Sequence, residues 1–292
     1  MTKKLTRELI NAGAHFGHGL NRWNPKMAPF IFTKRGNIHI IDIKKTLKGL
    51  LIAKKLLADV VSSGKDVVFV GTKRQAQKTV EEIAKKCGMH YVSHRWIGGT
   101  LTNFRTIRSR VQRLEQLEAM QQEGTFEKES KKQASRYKRE MRKIKANLEG
   151  VRNLARIPGA IVVVDGKKEN LALREARKLD IPTVAILDTD SDPDLVDVVI
   201  PANDDSIRAI ELILHELADA VAVGKTKIPD VREAAQRPRR VRSRRPVLAR
   251  ADEQARRSTG AVEHTSAEDI VTSPAQQDNV DRPAEPGGPD QL

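Results

Sequence analysis

Apolar residues along the chain follow distinct rhythms, and each rhythm predicts a different element. Short unbroken runs occur in DVVFVG, in GAIVVVD, in TVAILDTD and in VDVVIPAND. Runs of this length suit strands buried on both faces, as in a parallel sheet. Between them the spacing is helical. A short helix is predicted over Leu5–Gly13, and a longer one from an Asp42 cap to about Ser63, with Leu47, Leu50, Leu51, Leu57, Ala58 and Val61 on one side. Further helices are predicted over Lys73–Cys87, over KENLALREARKL, and over Ser206–Val223 with Ile207, Ile210, Leu214 and Leu217 on one face. Two β-rich runs, Phe30–Thr33 and Ile38–Ile41, flank KRGN and read as a hairpin, because Gly36 and Asn37 tolerate positive φ. A short strand near His90–Val92 completes a βαβ pattern.

The section from Phe104 to Val151 differs. Phe104, Ile107, Val111 and Leu114 repeat at heptad-like spacing, and Tyr137, Met141, Ile144, Leu148 and Val151 do so again after a break near Gly124. Two such helices joined by a turn make an antiparallel coiled-coil hairpin; one unbroken helix is the alternative. The predicted fold class is therefore α/β, a mainly parallel sheet covered by helices on both faces. Residues 1–103 and 151–224 form the body, 104–150 an inserted coiled-coil hairpin, and 225–292 a tail. The tail is rich in Pro, Arg, Ser and acidic residues and poor in apolar ones, so it is expected to be disordered.

Charge adds a direction to this picture. Lys and Arg number 53 against 38 Asp and Glu, a net +15, which favours an anionic partner. The excess is uneven: about +13 in residues 1–103, about +6 in 104–150, about −6 in 151–224 and about +2 beyond. No apolar run approaches the roughly 20 residues needed to cross a bilayer, and the N-terminus lacks the apolar core of a signal peptide. The one cysteine, Cys87, excludes an internal disulfide and a thiolate zinc cluster, so a cytoplasmic setting is expected.

Candidate chemistry is sparse. Gly71 and Lys73 follow a strand as a phosphate loop would, but the spaced glycines of a nucleotide cradle are missing. HELAD at His215–Asp219 has half of a zinc-protease pair and reads as a helix edge. His15 and His18 in AHFGH suit packing or RNA better than a metal. Asp188, Asp190, Asp192 and Asp194 follow a strand, where open α/β sheets place ligands, yet Asp and Pro equally suit a turn. No catalytic or metal residues are assigned, no cofactor is expected, and the chain is not expected to be an enzyme. The alternative is a nucleotide- or metal-dependent α/β enzyme using the Gly71–Arg74 turn and the Asp188–Asp194 loop; a protein-binding hub built on the hairpin is a third.

Nucleic-acid binding remains. Aromatics make up only 3%, too few for a base-stacking platform. A basic surface without stacking residues suits phosphates and sugars of folded, double-helical RNA. The candidates are Arg22, Lys26, Lys34, Arg35, Lys44, Lys45, Lys48, Lys73, Arg74 and Arg95, with Arg105, Arg108, Arg136, Lys138, Arg139 and Arg142 on the hairpin. The tail cluster RPRRVRSRRP is either a further RNA contact or simply solvated. With the basic excess in residues 1–150, an RNA grip by the N-terminal face and hairpin base is expected, the acidic half facing solvent or protein partners.

AHFGH, WNPKMAPFIFTKRGNIHIIDIKKT, HRWIGGTLTNF and the segment from Ile157 to Ile213 closely resemble the bacterial small-subunit ribosomal protein number two family, over about residues 3–225. The resemblance implies a flavodoxin-like body carrying a helical hairpin. It implies docking on small-subunit ribosomal RNA between head and body, late in assembly. It further implies neighbouring small-subunit proteins as partners and a role in recruiting the large ribosomal protein number one, with neither DNA nor a membrane involved. Within HRWIGGTLTNF, Gly98 and Gly99 permit a tight backbone path, Trp96 can anchor it, and Thr102 or Asn103 can cap the first hairpin helix.

Overall fold

The computed structural model describes residues 2–227. A first helix, α1 (Thr2–Asn11), leads into a small antiparallel sheet of β1 (Phe16–Gly19), β2 (Ile31–Arg35) and β3 (Ile38–Ile41), ordered β1-β3-β2. The expected β2–β3 hairpin forms around Gly36 at φ +60°, while Asn37 keeps a negative φ. Strand β1 was not predicted. Its sequence, FGHG, offers no β-branched residue and two glycines.

Helix α2 (Ile43–Ser62) starts where predicted, the Asp42 side chain accepting from the Lys44 backbone N–H at 2.9 Å. Then follow β4 (Val67–Val70), α3 (Arg74–Cys87), β5 (His90–Val92), α4 (Phe104–Gln122), α5 (Thr125–Lys128) and α6 (Lys131–Leu148). The chain ends its described course with β6 (Ala160–Val164), α7 (Asn170–Lys178), β7 (Thr183–Leu187), β8 (Val198–Pro201) and α8 (Ile207–Thr226). Strands β4 to β8 form one parallel sheet in the order β5-β4-β6-β7-β8, the order of flavodoxin-like sheets. Helix α8 continues past the predicted Val223. The tail expected to be disordered lies outside the described residues from 228 on.

Side-chain alternation divides the core in two. Val67 and Phe69 of β4, with Val162 and Ile186, face α1, α2, α3 and α8 through Leu9, Leu50, Ile83 and Leu214. Val68 and Val70, with Ile161, Val163 and Leu187, face the other way onto Leu173 of α7 and Leu101. Each fully buried aliphatic side chain of this kind contributes about 1.5–3 kcal/mol. Two expected core positions face outward: Leu51, one helical step off its buried stripe, is 54% exposed, and Ile207, the first residue of α8, is 55% exposed. Helix α2 crosses α8 and β8 so closely that a Cβ on Gly49 would overlap the Val199 carbonyl, and one on Gly224 would lie 2.9 Å from the Ala58 carbonyl oxygen.

Helices α4 and α6 lie against each other in opposite directions. Phe126 stacks on Tyr137 near the turn, with ring centroids 5.6 Å apart, and Arg108 Nη1 reaches the Leu154 carbonyl at 2.9 Å near the base. Gly124 makes the predicted break at φ +71°. Ile107, Val111, Leu114, Ile144 and Leu148 share one apolar cluster with the sheet's second face, so the base of this pair is continuous with the body's core. Among the described residues no helix is long and apolar enough to cross a membrane.

Candidate nucleic-acid interface and the carboxyl end of the sheet

The segment HRWIGGTLTNF is held by a residue that sequence reading did not single out, Glu175. This carboxylate on α7 is 7% exposed and accepts from the backbone N–H of Gly99 at 2.8 Å, Leu101 at 3.0 Å and Thr102 at 3.3 Å, and from the Trp96 indole N–H at 3.2 Å. A buried carboxylate is tolerated when donors converge on it in this way. Gly99 sits at φ +90°, where L side chains are strained, so the loop can turn its N–H groups inward. Trp96 is the expected anchor. The expected cap is not made: Asn103 occupies the N-cap position without capping, its Oδ1 accepting from Thr106 Oγ1 at 2.8 Å, and Thr102 Oγ1 turns to Glu175.

Arg95 in this segment, and Arg105 and Arg108 on the α4 that it delivers, are exposed. Lys44, Lys45 and Lys48 line the outer face of the first turns of α2, and Lys34 and Arg35 lie at the end of β2. Arg22 and Arg74 are also exposed, as are Arg136, Lys138, Arg139 and Arg142 on α6. At the base of α4 and α6, Arg110, Arg136, Arg139 and Lys143 ring a cavity of about 730 Å³ floored by Ile107 and Ile144. Arg110 and Lys143 are not among the sequence candidates; the seven-residue step from Arg136 to Lys143 places those two on one face of α6.

Two predicted RNA contacts are occupied internally. Lys26 pairs with Asp192 at 2.9 Å and Asp194 at 2.6 Å. Lys73, its side chain 15% exposed, pairs with Asp204 at 2.7 Å and Asp205 at 2.6 Å, with Asp165 at 3.7 Å, and these carboxylates hold its ammonium charged well above the usual lysine range against the opposing cost of burial. These carboxylates compete with a phosphate for the Lys73 ammonium.

The same enclosure bears on the Gly71–Arg74 turn, which leaves β4 beside β6, at the switch point where such sheets take ligands. Its Thr72 backbone N–H and hydroxyl both donate to the Glu169 carboxylate, 3% exposed. A phosphate would need those donors. Burial, the dominant effect, raises the Glu169 pKa. Asp204 is pushed up to about 7 by burial and by neighbouring Asp165 and Asp188, with Lys73 opposing. The Asp188–Asp194 loop behaves largely as a turn: Asp192 accepts from the Asp194 N–H at 3.0 Å, and Asp190 pairs with Lys167 at 3.0 Å.

Strand β1 docks onto this end of the sheet. The His18 N–H donates to Thr189 Oγ1 at 3.0 Å, and a Cβ on Gly17 would lie 2.6 Å from Thr189 Cγ2, so glycine is needed for the approach. The His18 ring stands between Asp188, 2.9 Å from Nδ1, and Asp205, 3.6 Å from Nε2. Pairing with Asp188 raises the His18 pKa to about 9. Asp188 Oδ2 nevertheless lies off the line of a hydrogen bond from Nδ1, which has no such partner. His15 does not join this group, and His215 lies 3.9 Å from Glu211 on α8.

The acidic half of the sequence is thus only partly an acidic surface. Glu169, Glu175, Asp188 and Asp204 are all under 9% exposed, which corrects the expectation that this half turns its charge outward. Fold and site together define a class, a basic α/β scaffold whose buried carboxylates hold its own loops while its arginines and lysines stay outside. A family model described as ribosomal protein S2 matches residues 9–224, and the chain belongs to that family. It is 55% identical over 225 residues to the small ribosomal subunit protein uS2 of Rhodopirellula baltica, an alignment covering 77% of this chain and 86% of that protein. The family is a structural one, and the chain is not an enzyme.

Proposed function

We propose that the protein is a structural part of the small ribosomal subunit that grips folded ribosomal RNA through phosphate contacts from its exposed N-terminal cations. The observation that carries this is the separation of charge in space: Lys34, Arg35, Lys44, Lys48, Arg95 and Arg105 are exposed, while four carboxylates of the later half are buried. The RNA meets a surface more positive than the residue counts imply. Arg22, Lys45, Arg74 and Arg108 extend the same set; Lys26 and Lys73 are withdrawn from it. The α4–α6 pair, read as a coiled-coil arm, adds Arg136, Lys138, Arg139 and Arg142 near the cavity at its base. The family resemblance supports docking late in assembly between head and body, in the cytoplasm, and recruitment of the large ribosomal protein number one. Binding of the full chain to small-subunit ribosomal RNA, measured against salt, tests the core of this: affinity falls steeply with salt as phosphate contacts are screened. Salt-independent binding would refute it.

A further inference from the structure

Along one flank of the α4–α6 pair, cations stand without partners around an apolar hollow. Arg110 of α4 and Arg136, Arg139 and Lys143 of α6 are exposed and rim the cavity of about 730 Å³. None of the four forms an ion pair among the described residues. The steps of three and four residues from Arg136 to Arg139 to Lys143 keep the α6 cations on one face. Elsewhere on the same pair the charges are neutralised: Glu118 meets Lys145 at 3.6 Å and Arg152 at 2.9 Å, and Arg113 meets Glu140 at 3.4 Å. The floor of the hollow is aliphatic, made by the buried Ile107, Ile144 and Leu148.

We infer that this cavity takes the base of one unpaired nucleotide of the bound RNA, with the flanking phosphates on its rim. The inference rests on the RNA-binding reading and adds a site to it. Phosphates alone need cations and no hollow, and helical RNA keeps its bases stacked. An apolar floor ringed by guanidinium groups suits a flat, uncharged ring whose neighbours along the strand are anionic. Arginine planes stack on unstacked bases as aromatic rings do, so the site needs no aromatic side chain and escapes a count of Phe, Tyr and Trp. Its volume lies within the roughly 300–1,000 Å³ of pockets that enclose small ligands.

The walls carry polar edges for the base. Asn147 Nδ2 donates within α6 to the Lys143 carbonyl at 3.0 Å, which leaves Oδ1 to accept from an amino group of the base. Glu140 also lines the cavity and would repel a phosphate, but Arg113 holds its charge. An acidic amphipathic protein helix is the competing occupant. Such a helix sets one apolar face beside one charged face, whereas here cations on both helices surround the apolar floor. The order phosphate, base, phosphate matches that arrangement.

The test measures binding of the purified full-length chain to small-subunit ribosomal RNA against salt. Ultraviolet crosslinking should join one nucleotide to the peptide 144–148. Replacing that nucleotide by an abasic one keeps its phosphates and should weaken binding about tenfold, the loss of one stacked base, at an unchanged salt slope. The double variant T106M/N147M, which adds aliphatic bulk from both helices, should do the same on unmodified RNA. R139Q should instead lower the slope by about one unit, and Q121M, on another flank of α4, should match wild type. Circular dichroism checks each variant's fold, and the abasic RNA decides if the double variant does not fold. No crosslink to that peptide, or wild-type affinity for the abasic RNA, overturns the inference while the RNA-binding reading stands. Salt-independent binding by the wild type removes both. If filling the cavity spares RNA affinity but abolishes binding of an acidic amphipathic probe peptide, the site belongs to a protein, and the inference falls.

Discussion

The Trp96 indole N–H donates to the Glu175 carboxylate at 3.2 Å, joining the loop that launches α4 to the buried face of α7. Three backbone N–H groups share that carboxylate, so its loss leaves several buried donors unsatisfied. Glu175→Ala should lower stability by about 3–5 kcal/mol, in the range for breaking a buried charged network. Glu175→Gln, which keeps one oxygen, should cost about 1–3 kcal/mol. Urea unfolding followed by tryptophan fluorescence measures both; a Glu175→Ala chain as stable as wild type would remove Glu175 from its organising role.

This residue also shows where sequence reading stops. The buried strands were legible because a parallel sheet covered on both faces demands unbroken apolar runs, as in VVFV and AIVVV. The α2 and α8 stripes were legible to within one residue. Glu175 was not, because an acidic residue in REARKL resembles any solvated helix position. Its signal was positional: it flanks the buried stripe of Ala172, Leu173 and Ala176. Lys26 and Lys73 pair with carboxylates that charge counting does not anticipate. Counting charge cannot tell a free lysine from one whose carboxylates arrive from distant parts of the chain. AHFGH and LDTDSDPD were each weighed alone as ion sites, and nothing in the sequence indicated that His18 and Asp188 meet.

Two glycines should separate close packing from backbone conformation. Gly49→Ala drives a Cβ into the Val199 carbonyl, a backbone atom of β8 that cannot move aside cheaply, and should cost about 2–4 kcal/mol. Gly36→Ala meets nothing within 4 Å and pays only for its φ of +60°, about 1 kcal/mol. Denaturant midpoints rank the two; equal losses would contradict the tight α2–β8 contact.

His39 should make stability depend on pH. Its ring is buried against Trp23, with centroids 5.1 Å apart, and neither ring nitrogen has a hydrogen-bond partner. Burial first, and then Lys34, lower its pKa below the usual 6.5, with Asp188 opposing. The unfolded chain therefore takes up the proton first. Stability is full above about pH 6.5 and is lost as pH falls below it toward the folded pKa. Thermal midpoints of wild type and His39→Phe should diverge in slope below pH 6.5, the variant being flatter. Parallel curves would place the titration elsewhere.

Lys73 should matter to the fold and not to RNA. Lys73→Met leaves Asp165, Asp204 and Asp205 facing one another without their shared cation. A stability loss of about 2–4 kcal/mol is expected, with the salt dependence of RNA binding unchanged. A shallower salt slope in a folded Lys73→Met chain would return Lys73 to the RNA surface.

The central claim is that RNA is held by exposed N-terminal cations. Its most direct test compares two triple charge reversals for affinity to small-subunit ribosomal RNA and for incorporation into subunits. One is at Lys44, Lys45 and Lys48, the other at Arg174, Arg177 and Lys178, all six exposed. Reversal on α2 should weaken binding at least tenfold and flatten its salt slope, since each lost phosphate contact removes close to one unit of slope. Reversal on α7 should leave both near wild type. Equal effects from the two triples, or a larger effect from α7, would contradict the account.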